Sequence, residues 1–386
     1  MKFVNFILRN TLRNKRRTVL TILSISMSLF LISTLRTLLD TLENPPVTPE
    51  SAKRVVIRHA TGLANTMPIK YRDEMSRLPG VDSVTSSQWF GGIYQDPANF
   101  FAQFAVDADR FFDVYSDVHT QTPEQKANFI KDRTGALVGV TLAKRFGWKV
   151  GDRITLQGAI FPVNPELTID GLVSEGASES NFYFHLDYMN ELFRPNGAAW
   201  NQVGTFIVKA KNAEDLPAIS ENIDAMYESS TAPTKTESEA AFILGFVSML
   251  GNVRLLVMSI STVVLFTVIL VAANTMAMSI RERTGEIAIL KTLGFAPGLI
   301  LNMMVTESMM IALAGGLLGS VGARYLYRTL NLDSISSGFV QQLDVRWNTV
   351  LLSAGIALAV AMFSTLIPAY NASRLPISIA VRRRGE

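Results

Sequence analysis

The charged residues that interrupt the apolar stretches of this chain are few, and they mark where specific chemistry could occur. Residues 281–298 read RERTGEIAILKTLGFAPG and hold Arg281, Glu282, Arg283, Glu286 and Lys291 between two long apolar runs. Glu307 stands alone inside the second of those runs. A carboxylate at membrane depth faces a bundle interior, a cavity or a partner group. A proton or ion pathway needs further acids or bases at depth, and none occur there, so Glu307 is read as structural, bonded to Asn302, Thr306 or a neighbouring helix. Asn274 is a second polar residue close to the loop.

Other chemistries lack their residues. The chain has no cysteine, which excludes a disulfide framework, Cys-ligated zinc, iron–sulfur clusters and thiol catalysis. His59, His119 and His185 are far apart and lack metal-ligand spacing. No Gly-x-Ser-x-Gly elbow and no Gly-x4-Gly-Lys-[Ser/Thr] loop is present. Asp107 and Asp109 read as a strand edge or turn. His185, in the run Phe182-Tyr183-Phe184-His185-Leu186, reads as core or partner surface. No catalytic, cofactor or metal site is expected in this chain.

The elements that must position the loop are membrane spans. Four stretches reach the roughly 20 apolar residues that a bilayer-crossing helix needs: 18–42, 251–280, 298–327 and 346–370. The first could be a cleaved signal peptide. However, its apolar stretch is long, and Arg36, Asp40 and Glu43 follow it with no small-x-small site, so it is read as an uncleaved anchor. Basic residues set the orientation. Residues 1–17 carry +6, the 281–297 loop +1 and the 371–386 tail +3; the whole chain carries +3, which leaves −7 elsewhere. Both termini and the loop are therefore expected on the cytoplasmic side. Residues 43–250 and the 328–345 loop are expected outside. A net charge of +3 gives no sign of nucleic-acid binding.

Segment 43–250 is read as an α+β domain. Lys53–Ala60 and Val81–Trp89 read as strands flanking a short helix at Tyr71–Leu78. Val203–Ala210 and Glu214–Tyr227 read as a second strand–helix pair. Between them, a β-rich insertion is expected at about 135–200, with a strand entering a helix at Ala136–Phe146 and β-like stretches at Asp152–Gln157 and Glu166–Val173. A stalk helix at about 236–254 is expected to run without a break into the second span, with Phe242, Phe246 and Met249 on one face.

Within the loop, Ile287, Leu290 and Leu293 recur every three residues and form one apolar face. Thr284 can cap the helix start, and Gly294 can end the helix. A helix lying on the membrane surface and a knob docked in a partner's groove both fit. Span three carries Gly315, Gly316, Gly319 and Gly322, and span four carries Gly355 and Ala359. Such small residues allow close helix packing.

These residues resemble a family. The exit of span two is Asn274-Thr-Met-x-Met-x-x-x-Glu282-Arg283-x-x-Glu286-Ile287-x-x-x-Lys291-x-x-Gly294. It is similar to the signature of the MacB/FtsX-like permeases of ABC transporters. The spacing of Glu307 to Gly315-Gly316-x-x-Gly319 resembles the same family. So do Pro368-Ala369-x-x-Ala372-Ser373-Arg374-x-Pro376-Ile377-x-Ala380-x-Arg382 and Leu12-Arg13-Asn14-Lys15-Arg16-Arg17. Ala288 departs mildly from the family's usual Gly.

The resemblance implies an α-helical membrane protein with four transmembrane helices. An extracytoplasmic domain, porter-like with a β-rich insertion, would lie between helices 1 and 2. It implies that 281–297 is a coupling helix docking on an ATPase through Glu282, Arg283, Glu286, Ile287, Lys291, Leu293 and Gly294. This chain would bind no cofactor itself; ATP and Mg2+ would belong to two copies of a separate ATPase subunit. A second permease copy, most simply a homodimer, completes the implied assembly in a bacterial inner membrane. A periplasmic adaptor with an outer-membrane channel, or a lipoprotein carrier, would be further partners. The implied function is mechanotransmission for export of a peptide, lipid or amphiphile. The alternatives are lipoprotein release, as in the LolC/LolE system, and signalling to a periplasmic hydrolase, as in FtsX. The lack of polar faces in spans two and four argues against an aqueous pore.

Overall fold

Backbone polar groups in lipid must be satisfied within their own segment, which makes helices of the apolar runs. A computed structural model describes residues 14–44, 48–99, 101–174, 179–194, 200–249, 251–329 and 343–374. In chain order it begins with α1 (Lys15–Glu43), β1 (Arg54–His59), β2 (Met67–Pro68), α2 (Tyr71–Met75), β3 (Val81–Trp89), β4 (Ala102–Val106), α3 (Ala108–Val114) and α4 (Pro123–Lys131). Next come β5 (Gly135–Gly139), α5 (Val140–Phe146), β6 (Arg153–Thr155), β7 (Glu166–Val173), β8 (Asn181–His185), α6 (Leu186–Leu192), β9 (Gln202–Val203) and β10 (Thr205–Ala210). The chain continues through α7 (Leu216–Tyr227), β11 (Thr234–Ser238), α8 (Glu239–Met249), α9 (Val253–Glu282), α10 (Thr284–Thr292), α11 (Pro297–Thr329) and α12 (Trp347–Arg374).

Two compact units result, one built on residues 44–249 and one on the long helices. In the first, nine strands form one sheet in the order β11-β1-β10-β3-β4-β8-β5-β7-β6. The strands of the 135–200 stretch extend this sheet, because β8 pairs in parallel with β4 from Ala102↔Asn181 to Val106↔His185. One buried cluster accordingly takes Val55 and Ile57 from β1, Ala136 and Val138 from β5, and Ile219 and Ile223 from α7. His185 is core: its Nε2 lies 2.5 Å from the Phe129 carbonyl oxygen and its ring packs on Phe129.

The expected stalk helix is two elements and a break. Thr234–Ser238 is a strand, hydrogen-bonded antiparallel to β1. Helix α8 then ends at Met249, Gly251 has φ +87°, and Asn252 Oδ1 accepts from the Leu255 N–H to start α9. A left-handed glycine followed by an N-cap stops one helix and starts another, so the helix does not run continuously. The side chains of Phe246 and Met249 lie outside the described residues. So do residues 1–13, 330–342 and 375–386.

In the helical unit, α11 is the central element. A Cβ on Gly315 would sit 2.9 Å from Ile25 Cβ, one on Gly316 2.8 Å from Ala357 Cβ, and one on Gly319 2.3 Å from the Ser26 carbonyl oxygen. The three glycines thus let α11 press onto α1 and α12. Gly322 and Gly355 do not share this role: among the described residues, nothing lies within 4 Å of a Cβ built on either. Their faces turn away from the other three helices. Buried hydroxyls add cross-links, Ser33 to Ser353 at 2.9 Å and Thr365 to Ser308 at 2.6 Å.

Candidate coupling site around the 281–297 loop

Helix α10 is a nine-residue helix held between two turns. Arg283 closes α9 and opens α10. Thr284 does not cap the start of α10. Its hydroxyl donates backward to the carbonyls of Arg281 at 2.8 Å and Ile280 at 3.2 Å, satisfying the end of α9 instead. At the far end Gly294 has φ +90°, its N–H reaches the Lys291 carbonyl at 3.0 Å, and the Phe295 N–H reaches Leu290 at 3.1 Å. This pair of bonds is a Schellman stop.

One face of α10 is packed and the other is open. Ile287 is buried with Ile280, Ile300, Ala369 and Ala372, and Leu290 and Phe295 pack against them. Ala288 is also buried. Ile287 therefore holds the loop onto α9, α11 and α12, and it does not lie on a surface that a partner could reach. The open face carries Ile289, 45% exposed, and Leu293, 69% exposed, one helical turn apart. Of the three-residue recurrence Ile287, Leu290 and Leu293, the first two share the packed face and only Leu293 falls on the open one. The four-residue spacing of Ile289 and Leu293 carries the signal that finds it. Lys291 is half-buried, Gly294 is exposed, and Asn274 is exposed on α9.

Ion pairs fix this arrangement. Arg283 Nη1 donates to Glu307 Oε2 at 2.8 Å, and its Nε lies 3.3 Å from Glu286 Oε2. Glu307 is buried, and its partner is the loop arginine. Thr306 donates instead to the Asn302 carbonyl at 2.8 Å. From α1, Arg17 donates to Glu282 Oε2 at 2.6 Å and to Ser279 Oγ at 2.8 Å. Arg17, Thr21, Thr275, Ser279, Glu307 and Ser308 line one cavity inside the bundle. Two arginines and three glutamates thus join the loop to α1, α9 and α11. Arg17 and Ser279 were not candidates on sequence, because nothing in the spacing links residues 262 positions apart.

A second anchor lies in the other unit, at the start of α8. Arg54 of β1 is buried; its Nε donates to Glu239 Oε2 at 2.8 Å, and its Nη groups grip Asp117. Burial works against the Arg54 charge, yet the two carboxylates outweigh it and hold the guanidinium well above its ordinary range. Burial also raises Glu239, against the opposing pull of Arg54. The ion network ties the first turn of α8 to the sheet. Among the described residues, no group of three or more His, Cys, Asp or Glu could hold a metal ion.

Two family models match successive parts of the chain. The MacB-like periplasmic core domain matches residues 18–226, and the FtsX-like permease C-terminal domain matches residues 258–377. The chain belongs to the MacB/FtsX-like permease family. An ABC transporter permease of Methanocaldococcus jannaschii is 24% identical over 312 residues, covering 78% of this chain and 76% of the relative. The macrolide export ATP-binding/permease protein MacB of Bdellovibrio bacteriovorus is 24% identical over 255 residues, covering 62% of this chain and 37% of that protein. The crystal structure of the periplasmic region of MacB from Actinobacillus actinomycetemcomitans aligns with a TM-score of 0.36 and 12% identity, over 51% of this chain and 92% of that one. This MacB/FtsX-like chain is an ABC transporter permease with four membrane-length helices and an α/β domain between the first and second.

Proposed function

We propose that α10 is the docking element for a separate ABC ATPase, and that this permease converts nucleotide-driven motion into movement of its external domain. The observation that supports this most is the two-sided character of α10. Its inner face is locked by the Ile287 cluster and by the Arg283–Glu307 pair, while Ile289 and Leu293 stand exposed. A helix resting on lipid would need no buried ion pair behind it. A helix that transmits force needs both a contact face and a rigid backing.

The basic segments support a cytoplasmic position for α10 and both termini, in an inner membrane. The assembly is two permeases and two ATPases, with ATP and Mg2+ bound by the ATPases. Closure of the ATPases would push α10, α9 and α11 as one body, because Arg283 and Arg17 bind all three to α1. The motion would reach the 44–249 segment through the Gly251 joint and the anchored α8. The cargo would be an amphiphile, lipid or peptide handled outside, with an adaptor or carrier as further partner. In the reconstituted complex, Leu293→Asp should abolish ATPase association while leaving the permease folded. Unchanged assembly and unchanged ATP turnover would remove α10 from the coupling path.

A further inference from the structure

The opposite rim of the helical unit carries an unexplained arginine belt. Arg36 lies in α1, Arg254 opens α9, Arg324 and Arg328 lie near the end of α11, and Arg346 precedes α12. No lysine stands among them. Lys15 to Arg36 spans about 32 Å of helix, close to the roughly 30 Å of a bilayer's hydrocarbon core. The belt therefore sits at headgroup depth when the other rim does.

The members are linked around the rim. Arg254 pairs with Glu43 at 3.5 Å, and Arg346 with Asp40 at 3.3 Å. Arg324 and Arg328 share Asp344 at 3.2 and 3.6 Å, and Arg324 lies over the Trp347 ring at 5.1 Å. Five arginines thus face three acids among the described residues, a net excess of positive charge. Arg324 is mostly buried and also donates to the Val345 carbonyl, whereas Arg254, Arg328 and Arg346 each make one acidic contact at 3.3–3.6 Å and remain 62%, 59% and 65% exposed. Arg36 is exposed and has no partner among the described residues. Exposed Tyr325 and Trp347 stand at the same level, as aromatic residues do at a membrane interface.

We infer that this rim is a binding surface for the phosphate of an anionic phospholipid headgroup in the outer leaflet. The assignment rests on the orientation proposed above. Basic residues are disfavoured on that side of a membrane protein, so their presence asks for a ligand. A guanidinium presents a planar fork matched to phosphate oxygens, which an ammonium does not. The excess charge selects a net anionic headgroup over a zwitterionic one. The flanking aromatic rings suit the glycerol level beneath it.

The test uses the full chain reconstituted in phosphatidylcholine vesicles. They contain a photoactivatable phosphatidylglycerol or a photoactivatable phosphatidylcholine, and cross-links are mapped by mass spectrometry. The phosphatidylglycerol probe should label peptides containing Arg36, Tyr325 and Trp347 several-fold more than the phosphatidylcholine probe. In Arg36→Gln/Arg328→Gln/Arg346→Gln that labelling should fall by about tenfold or more, since each basic residue near an anionic surface contributes roughly a fivefold attraction. Labelling of the segment around Lys15 should persist. If the triple Gln variant does not fold, the triple Lys variant should fold and lose part of the rim labelling. Equal labelling by the two probes, or labelling unmoved by both variants, overturns the assignment. Displacement of the probe by an equal concentration of inorganic phosphate also overturns it and indicates a free-anion site. Because the chain has no native cysteine, Leu293→Cys and an impermeant maleimide report sidedness separately. A failed orientation is thereby distinguished from a failed lipid site.

Discussion

Removing the guanidinium of Arg283 should weaken the junction of loop and bundle far more than neutralising Glu307. In the native chain Arg283 Nη1 meets Glu307 Oε2 at 2.8 Å, with the side chains 22% and 10% exposed. Two unit charges about 4 Å apart attract by about 4 kcal/mol at an effective dielectric of 20, and desolvation cancels much of this. Arg283→Met leaves the Glu307 carboxylate unpaired inside the bundle, which costs about 3–5 kcal/mol. Glu307→Gln leaves Arg283 with Glu286 at 3.3 Å, so its cost is about 1 kcal/mol. The double variant should cost less than the sum of the two, with a coupling of about 1–3 kcal/mol. Thermal unfolding of the purified permease reads the stabilities, and ATP turnover of the assembled complex reads the coupling. Costs that add to within about 0.5 kcal/mol, or a larger penalty for Glu307→Gln, would refute the ion pair as the backing of α10.

Two further outcomes are expected. Burial, aided by the charge of Asp132, pushes the Asp170 carboxyl up to about 6, and its Oδ2 has no hydrogen-bond partner among the described residues. The folded state therefore binds a proton that the unfolded state releases near pH 4, and stability falls as pH rises from about 4 through 6. Asp170→Asn should flatten that slope and add about 1 kcal/mol at pH 7.5, a figure reduced for the partly solvated site; unfolding midpoints across pH check it. In the bundle, Gly319→Leu should cost about 3 kcal/mol or prevent assembly, whereas Gly322→Leu should stay within about 0.5 kcal/mol, because only the first meets the Ser26 backbone. Thermal unfolding of the two variants separates them.

Much of the fold was readable because its signals are local. Apolar runs long enough to cross a bilayer gave α1, α9, α11 and α12. The apolar run Val55-Val56-Ile57 and the stretch after the Pro79-Gly80 turn were readable as β1 and β3, and Gly294 marked the end of α10. What failed depends on contacts distant in sequence. Thr234–Ser238 is polar throughout and becomes a strand only by pairing with β1. Ile287 and Leu293 look equivalent in sequence, yet only Ile287 finds Ala369 and Ala372. The five glycines look equally suited to packing, but only those of α11 facing α1 and α12 are used. Glu307 was legible as a residue needing a partner. That the partner is Arg283, 24 residues earlier, follows from the loop folding back over α11.

The central claim is that the open face of α10 meets an ATPase. With no native cysteine to interfere, Leu293→Cys can be cross-linked in membranes with a short bifunctional thiol reagent, using Ile287→Cys as the buried control. The expected result is a covalent adduct between position 293 and an ABC ATPase subunit, identified by mass spectrometry and absent for position 287. Recovery of the intact complex with no adduct at 293, or with adducts only elsewhere on the permease, would contradict the account.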